Sequence, residues 1–315
     1  MSIDASSIVT DFGAYYLNEG QNLQRLTSAL RQKAETPMYA RPIVTENDVY
    51  RSANASLSEI VQGFQKAFTE KGTVTFTPNE IPLRNLKVDI AIYPDELKGN
   101  WLGFLTSLTE DERKNWPIVR YLAEKHVAER IPHDLETQAY FKGVYAAPTP
   151  GTATASSAVM NGLKTIITAG LAGNMNTVSL TDAVTAANAF DRVEEFVDGL
   201  SDLTDKGIRC KVYMSKKLVR WYLKDKRNTH GTDVNYDGNS VTVDFTDVQI
   251  VGLASMAGEN MIWATPDENF VYLRKVNGMR APKVEELKRE VFLMLDWWEA
   301  IGFDYDELVY AATWV

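Results

Sequence analysis

Between positions 86 and 93 the chain alternates. Leu86, Val88, Ile90 and Ile92 are apolar, and Lys87, Asp89, Ala91 and Tyr93 stand between them. A period of two describes a strand with one face toward a core. "TVTFT", just upstream, predicts a second strand, and the turn-rich "PNEIPLRN" lies between the two. Residues 72–99 therefore predict a hairpin-like β-arm. A lone two-stranded arm is marginal in water, so its apolar row needs cover from the same chain or from a neighbouring subunit.

Upstream, residues 1–50 predict an extended arm with one short helix, where Leu23, Leu26 and Leu30 repeat at three and four. Pro37 and Pro42 keep the following backbone extended. "ASLSEIVQGFQKAFTEKG" places Ile60, Phe64 and Phe68 four apart and stops at Gly72, which predicts a short helix before the β-arm. Residues 109–143 predict the main helical region. Thr109 and Glu112 have capping-box spacing, and Ile118, Tyr121, Ala128, Ile131, Leu135 and Ala139 trace one stripe. Pro132 interrupts that stripe, which predicts a kink or a new helix there, and Gly143 is a natural stop.

"APTPGTATASSAVMNG" is small, polar and rich in breakers, and reads as a surface loop or crossover. A helix is expected over 178–203, with Val184, Ala187, Val193, Val197 and Leu200 facing one way. "IRCKVYM" is a short strand. "SVTVDFTDVQIVGL" and "MIWATPDENFVYLRKV" each read as strand, turn, strand, and the last residues give two further strands. No internal repeat has a fixed period.

Charge changes the picture at one place. The 315-residue chain has 33 Lys+Arg against 42 Asp+Glu, a formal net charge of -9. Yet "SKKLVRWYLKDKRNTHG" holds six basic residues and one acid, Asp225. Ser215 suits an N-cap, and Lys217, Arg220, Lys224 and Arg227 recur at three, four and three, along one helical face. Leu218, Trp221 and Tyr222 take another side. The stripe fits a solvated face, a contact with nucleic acid or an acidic neighbour. The acidic balance argues against a protein whose main task is gripping phosphates.

The remaining composition is that of a globular protein, 45% hydrophobic and 24% charged. "MSIDASSIVT" has the pattern of no secretory leader, and no apolar run approaches the ~18 residues of a membrane span. The single cysteine, Cys210, allows no internal disulfide and reads as a buried free thiol. His126, His133 and His230 form no metal-binding motif, and no phosphate loop, dinucleotide fingerprint or nucleophile elbow occurs. "EDER" is a helix first turn, "DYDE" is a weak cation candidate, and "DVNYDGN" is a hairpin turn at Asp237-Gly238. Trp297, Trp298, Phe303, Tyr305 and Tyr310 read as core or interface packing. Catalytic, cofactor and metal residues are therefore expected to be none. Arms that cannot fold alone point to a protein whose business is contact with copies of itself.

The order of elements carries a resemblance. A β-arm leads to a long helix ending "DLETQAYFKGV", a small-residue loop with "MNGL", a helix "FDRVEEFVDGL", the strand and basic helix "IRCKVYMSKKLVRWYLKDKRNTHG", and "MIWATPDENFVYLRKV". This α+β order, from about 50 to 315, resembles the major capsid proteins of tailed bacteriophages, the Hong Kong 97-type fold. The resemblance implies an N-terminal arm over 1–50 and an extended loop region over 51–108, its β-arm 72–99 lying over a neighbouring subunit through Leu86, Lys87, Val88, Asp89, Ile90 and Ile92. It implies a spine helix of a peripheral domain over 109–150, an axial domain with part of the peripheral domain over 151–265, and C-terminal strands returning to the peripheral domain over 266–315. It implies a structural protein without enzymatic activity that assembles in the bacterial host cytoplasm and resides in the virion. Hexamers and pentamers would enclose double-stranded DNA, contacted non-specifically. A separate scaffolding protein, a portal and head-accessory proteins would be partners, with no membrane. Lys217, Arg220 and Lys224 would then face packaged DNA or acids on the next subunit. An encapsulin-like compartment shell and a soluble α+β enzyme or binding protein are the alternatives.

Overall fold

The computed structural model describes residues 33–110, 121–230, 241–276, 283–287 and 290–314. The expected N-terminal helix, Glu112 with its capping box, Ile118 and the Asp237-Gly238 turn lie outside them. Two compact units are present. One takes in Lys87–Leu135 and Arg280–Asp296, the other Glu35–Leu86, Glu136–Met279 and Trp297–Val315.

In chain order, β1 (Arg41–Thr45) precedes a hairpin of β2 (Val49–Leu57) and β3 (Val74–Pro82), nine paired residues a side. Leu83 alone separates β3 from β4 (Arg84–Ile92). The long arm is therefore β2–β3, not the β3–β4 arm expected over 72–99. The period of two in 86–92 is that of a strand, but its ladder partner is β11, far along the chain. The helix expected around Ile60–Phe68 is absent, since residues 58–73 form the loop at the hairpin tip. A short helix with Phe64 and Phe68 on one face needs a surface to bury them, and neither is covered there.

After α1 (Pro94–Thr106) a helical run extends from Tyr121 to Ala139, with α2 (Ala128–Asp134) between π-helical turns Leu122–Val127 and Leu135–Ala139. Pro132 sits inside α2 without ending it. The wider turns relieve the ladder that a proline ring obstructs. They also shift the phase, so Val127 is buried and Ala128 is exposed.

Next come α3 (Leu163–Gly170), in a stretch with no helix foreseen, and β5 (Asn176–Leu180), at the start of the stretch expected to be helical. The helix itself is α4 (Ala189–Asp198), followed by the short α5 (Ser201–Thr204). β6 (Cys210–Ser215) leads directly into α6 (Lys216–His230). The rest is β7 (Gln249–Leu253), β8 (Trp263–Pro266), β9 (Phe270–Lys275), β10 (Lys283–Leu287), β11 (Glu290–Phe303) and β12 (Tyr310–Trp314).

One five-stranded sheet runs β1-β9-β11-β10, with β4 also on β11; the other runs β5-β12-β8-β6-β7. β8 and β9, expected as one strand-turn-strand unit, thus belong to different sheets. Among the described residues 241–248 only Thr242 forms a bridge, to Gln249, so the first expected pair is reduced there to little more than β7. β12 joins the sheet of the basic helix, and β11 the other sheet.

The second sheet is buried on both faces. On one, Val212, Met214, Ile250, Ala264, Tyr310 and Ala312 meet α4 and α6 through Phe190, Val193, Phe196, Val197, Leu218 and Tyr222. On the other, Tyr213 stacks on Trp263 at 4.2 Å, and Phe270 and Phe303 each lie edge-on to Trp263 at 5.5 Å. Alternation along β6 sends Val212 and Met214 one way and Tyr213 the other.

Candidate assembly surfaces

The hairpin tip is closed by its own polar groups. Ser58 N–H donates to the Thr73 carbonyl at 3.1 Å, Thr73 N–H to Ser58 Oγ at 2.7 Å, and Gln62 Nε2 to the Thr69 carbonyl at 2.7 Å. Lys71 bonds the Val61 carbonyl and lies 2.9 Å from Glu59. With its backbone so occupied, the tip turns apolar side chains outward. Phe64 and Phe68 are each 96% exposed, and Ile60, Val61 and Phe76 are exposed with them. A patch of this kind marks an interaction surface.

The hairpin's base is fixed. Ser52 Oγ donates to the Asp304 carbonyl at 2.8 Å, and Asn79 Nδ2 to the Phe303 carbonyl at 2.7 Å. Arg41 pairs with the Asp304 carboxylate. Gly302 lets Ile81 approach closely, since a Cβ there would stand 3.0 Å from Ile81 Cδ1.

The β4 row has its cover within its own chain. Leu86 is buried, and Val88 and Ile90 are partly buried against Val127 and Leu293. Lys87 and Asp89 take the exposed face and pair at 2.5 Å, which holds the Lys87 ammonium above its ordinary value. The side chain of Ile92 lies outside the description. Of the six residues expected at a subunit interface, the exposed ones are thus a paired cation and anion, and the open apolar surface lies at the β2–β3 tip. Phe64 and Phe68 carried that signal in sequence, but their spacing read as helix.

The basic stripe forms as its spacing implies. Ser215 Oγ accepts the Leu218 N–H at 3.4 Å, as an N-cap does. Lys217, Arg220 and Lys224 are exposed, Leu218 and Tyr222 are buried and Trp221 is half-buried. Lys217 lies 4.4 Å from the Trp221 ring centroid. The flanking cations are committed, Lys216 to Glu35 at 2.7 Å and Lys226 to Asp244 at 2.5 Å. The one acid, Asp225, is buried and accepts the Phe190 N–H at 2.9 Å, so it caps the start of α4. Burial, then Asp244 and Glu194, push the Tyr222 phenol upward.

Two buried acids were not singled out in sequence. Glu136 is fully buried and accepts from the Glu35 and Thr36 N–H groups at 3.0 Å, from Thr36 Oγ1 at 2.7 Å and from the Ser255 N–H at 3.2 Å. Burial raises its carboxyl above the ordinary range against these donors. Glu299 accepts from Tyr272 OH at 2.8 Å and is raised by burial. Their sequence signal is faint: Glu136 lies between the stripe residues Leu135 and Ala139.

Chemistry is sparse. Among the described residues no three His, Cys, Asp or Glu side chains are grouped to hold a metal ion. In "DYDE", Asp304 is taken by Arg41, and Asp306 is raised by burial and then by Glu307. The Cys210 thiol is pushed up to about 11 by burial, then by Asp267, which disfavours the reactive thiolate. Among the described residues no helix is long and apolar enough to cross a membrane.

No protein-family model matches the chain, and no curated protein matches its sequence. Solved structures do match. The capsid of Myoviridae phage XM1 aligns with a TM-score of 0.53 at 14% identity, covering 92% of this chain and 91% of that one. The capsid of an empty GTA particle aligns with a TM-score of 0.56 at 12% identity, covering 91% of each. The capsid of cyanophage P-SCSP1u aligns with a TM-score of 0.54 at 9% identity, over 90% of this chain and 89% of that one. The chain therefore has the α+β fold of phage capsid subunits.

Proposed function

We propose that this chain is the major capsid protein of a tailed bacteriophage, a structural subunit that assembles with copies of itself into an icosahedral shell around double-stranded DNA. The observation that carries the reading is the capsid-subunit fold, which aligns over about nine-tenths of this chain and of each structure it matches. The hairpin supports it physically. Its base is anchored by Ser52 and Asn79, while its tip presents Phe64 and Phe68 to a neighbour. Burying one such ring is worth roughly 1.5–3 kcal/mol. Repeated over many subunits, contacts of that size close a shell while each stays weak enough to correct errors.

On this reading the protein is a virion component assembled in the host cytoplasm, and its role is structural rather than catalytic. Its first partner is itself, in hexamers and pentamers. One matched structure is a satellite phage P4 procapsid with its size determination protein, which supports a separate scaffolding or sizing partner here. A portal and head-accessory proteins complete the head.

The test is negative-stain microscopy and light scattering of the purified full chain, alone, crowded and with a candidate scaffold. Closed particles or capsomer-sized rings are expected. A chain that stays monomeric or dimeric in all three conditions overturns the reading.

A further inference from the structure

α4 and α6 lie side by side on one face of the second sheet, tied by the Asp225 cap and by Phe190 against Tyr222 at 5.5 Å. Their outward faces carry opposite charge. On α6, Lys217, Arg220, Lys224 and Arg227 are exposed, and among the described residues none has an acidic partner. On α4 and α5, Asp191, Asp198 and Asp202 are exposed and have no cationic partner there. Arg192, on the same helix, is taken by Glu195. The sheet face thus presents a basic ridge beside an acidic one.

Phe245 stands in the turn that adjoins the basic ridge, where its neighbour Asp244 is bonded to Lys226. It is fully exposed and holds φ +60°, the left-handed region. A bulky residue there is strained, and such strain concentrates at functional surfaces.

We infer that these ridges are a head-to-tail docking surface between copies of this chain: the basic ridge of one copy, with Phe245 at its edge, meets the Asp191–Asp198–Asp202 ridge of the next. Charge complementarity selects this occupant over DNA. Packed helices lie about 8–10 Å apart, close to the ~8 Å screening length at physiological salt. A phosphate backbone on α6 would therefore feel the acids of α4, in a chain already at -9. The acidic ridge of a second copy meets the basic ridge with opposite charge instead. Each copy keeps its other ridge free for a further copy, so the contact is heterologous and propagates into rings. The inference rests on the shell reading for its biological setting, and its test is independent of it.

The full-length chain is made in two charge-reversed forms, one K217E/R220E/K224E and one D191K/D198K/D202K, with circular dichroism to verify folding. Neutral K217Q/R220Q/K224Q and D191N/D198N/D202N forms stand in if either reversal unfolds. Each reversed form alone is expected to associate roughly tenfold more weakly than the parent by sedimentation velocity. An equimolar mixture should recover association, more so at low salt, and Phe245→Ser should weaken the parent. A parent that assembles while neither the reversals nor the neutral forms change association overturns the ridge contact and leaves the shell reading standing. A parent that associates through the ridges, and weakens on reversal, yet never closes into particles sinks the shell reading alone. Loss of DNA binding in the K217E form, with self-association intact in both forms, assigns the basic ridge to DNA and overturns the proposal.

Discussion

The carboxylate of Glu136 accepts both the backbone N–H of Thr36 at 3.0 Å and its hydroxyl at 2.7 Å, out of contact with water. One side chain of the long helical run thereby fixes the segment that precedes β1. Glu136→Ala leaves buried donors unsatisfied, each costing about 1–3 kcal/mol. Destabilisation of at least ~3 kcal/mol is expected in chemical denaturation, with Glu136→Gln in between. Amide exchange at Glu35 and Thr36 should quicken more than exchange along β6.

Glu299 supplies a pH signature. Burial raises its carboxyl, and the Tyr272 hydroxyl, Trp297 and Arg274 oppose the shift. A raised folded-state value means that the native state holds the proton where the unfolded chain has released it. Stability from this group therefore falls as pH rises from the ordinary carboxylate range through the raised value, and returns as pH falls. Glu299→Gln should flatten that part of the stability-versus-pH curve. An unchanged slope in denaturation series across mildly acidic pH would remove Glu299 as its source.

The tip phenylalanines separate folding from assembly. Both are almost fully exposed, so Phe64→Ser and Phe68→Ser should leave the unfolding free energy within about 0.5 kcal/mol of the parent. Particle yield by light scattering should collapse. A double variant that still forms particles at the parental concentration would mean that the tip is not buried on assembly.

Asp225 tests the join between the two helices. Its carboxylate caps α4 through the Phe190 N–H, where an anion also complements the helix dipole. Asp225→Ala should cost about 1–2 kcal/mol, measured by denaturation. Asp225→Ser should recover part of that loss.

The basic helix was legible because every signal was local: a serine cap, cations at three and four, and apolar residues on the other side. The strand at 86–92 was legible for the same reason, but its partner was not. A period of two fixes which face is buried and says nothing of which strand, two hundred residues away, will pair with it. Phe64 and Phe68 misled in the opposite direction. Their spacing satisfied a helix, while the absence of anything to bury them against decided for a loop. Glu136 and Glu299 stayed silent because a glutamate in sequence looks solvated until the fold surrounds it.

A joint of one residue, Leu83, links the arm to the frame. That residue is buried, and its N–H is held by the Asp48 carbonyl at 2.8 Å, just before the arm's first strand. Such a joint has no slack. A pull or a tilt applied at the distant tip runs along the hairpin to Leu83 and, through Ser52 and Asn79, into the end of β11 at Phe303 and the adjoining Asp304. The arm is therefore a strut rather than a tether: whatever grips its end also loads the sheet at its root.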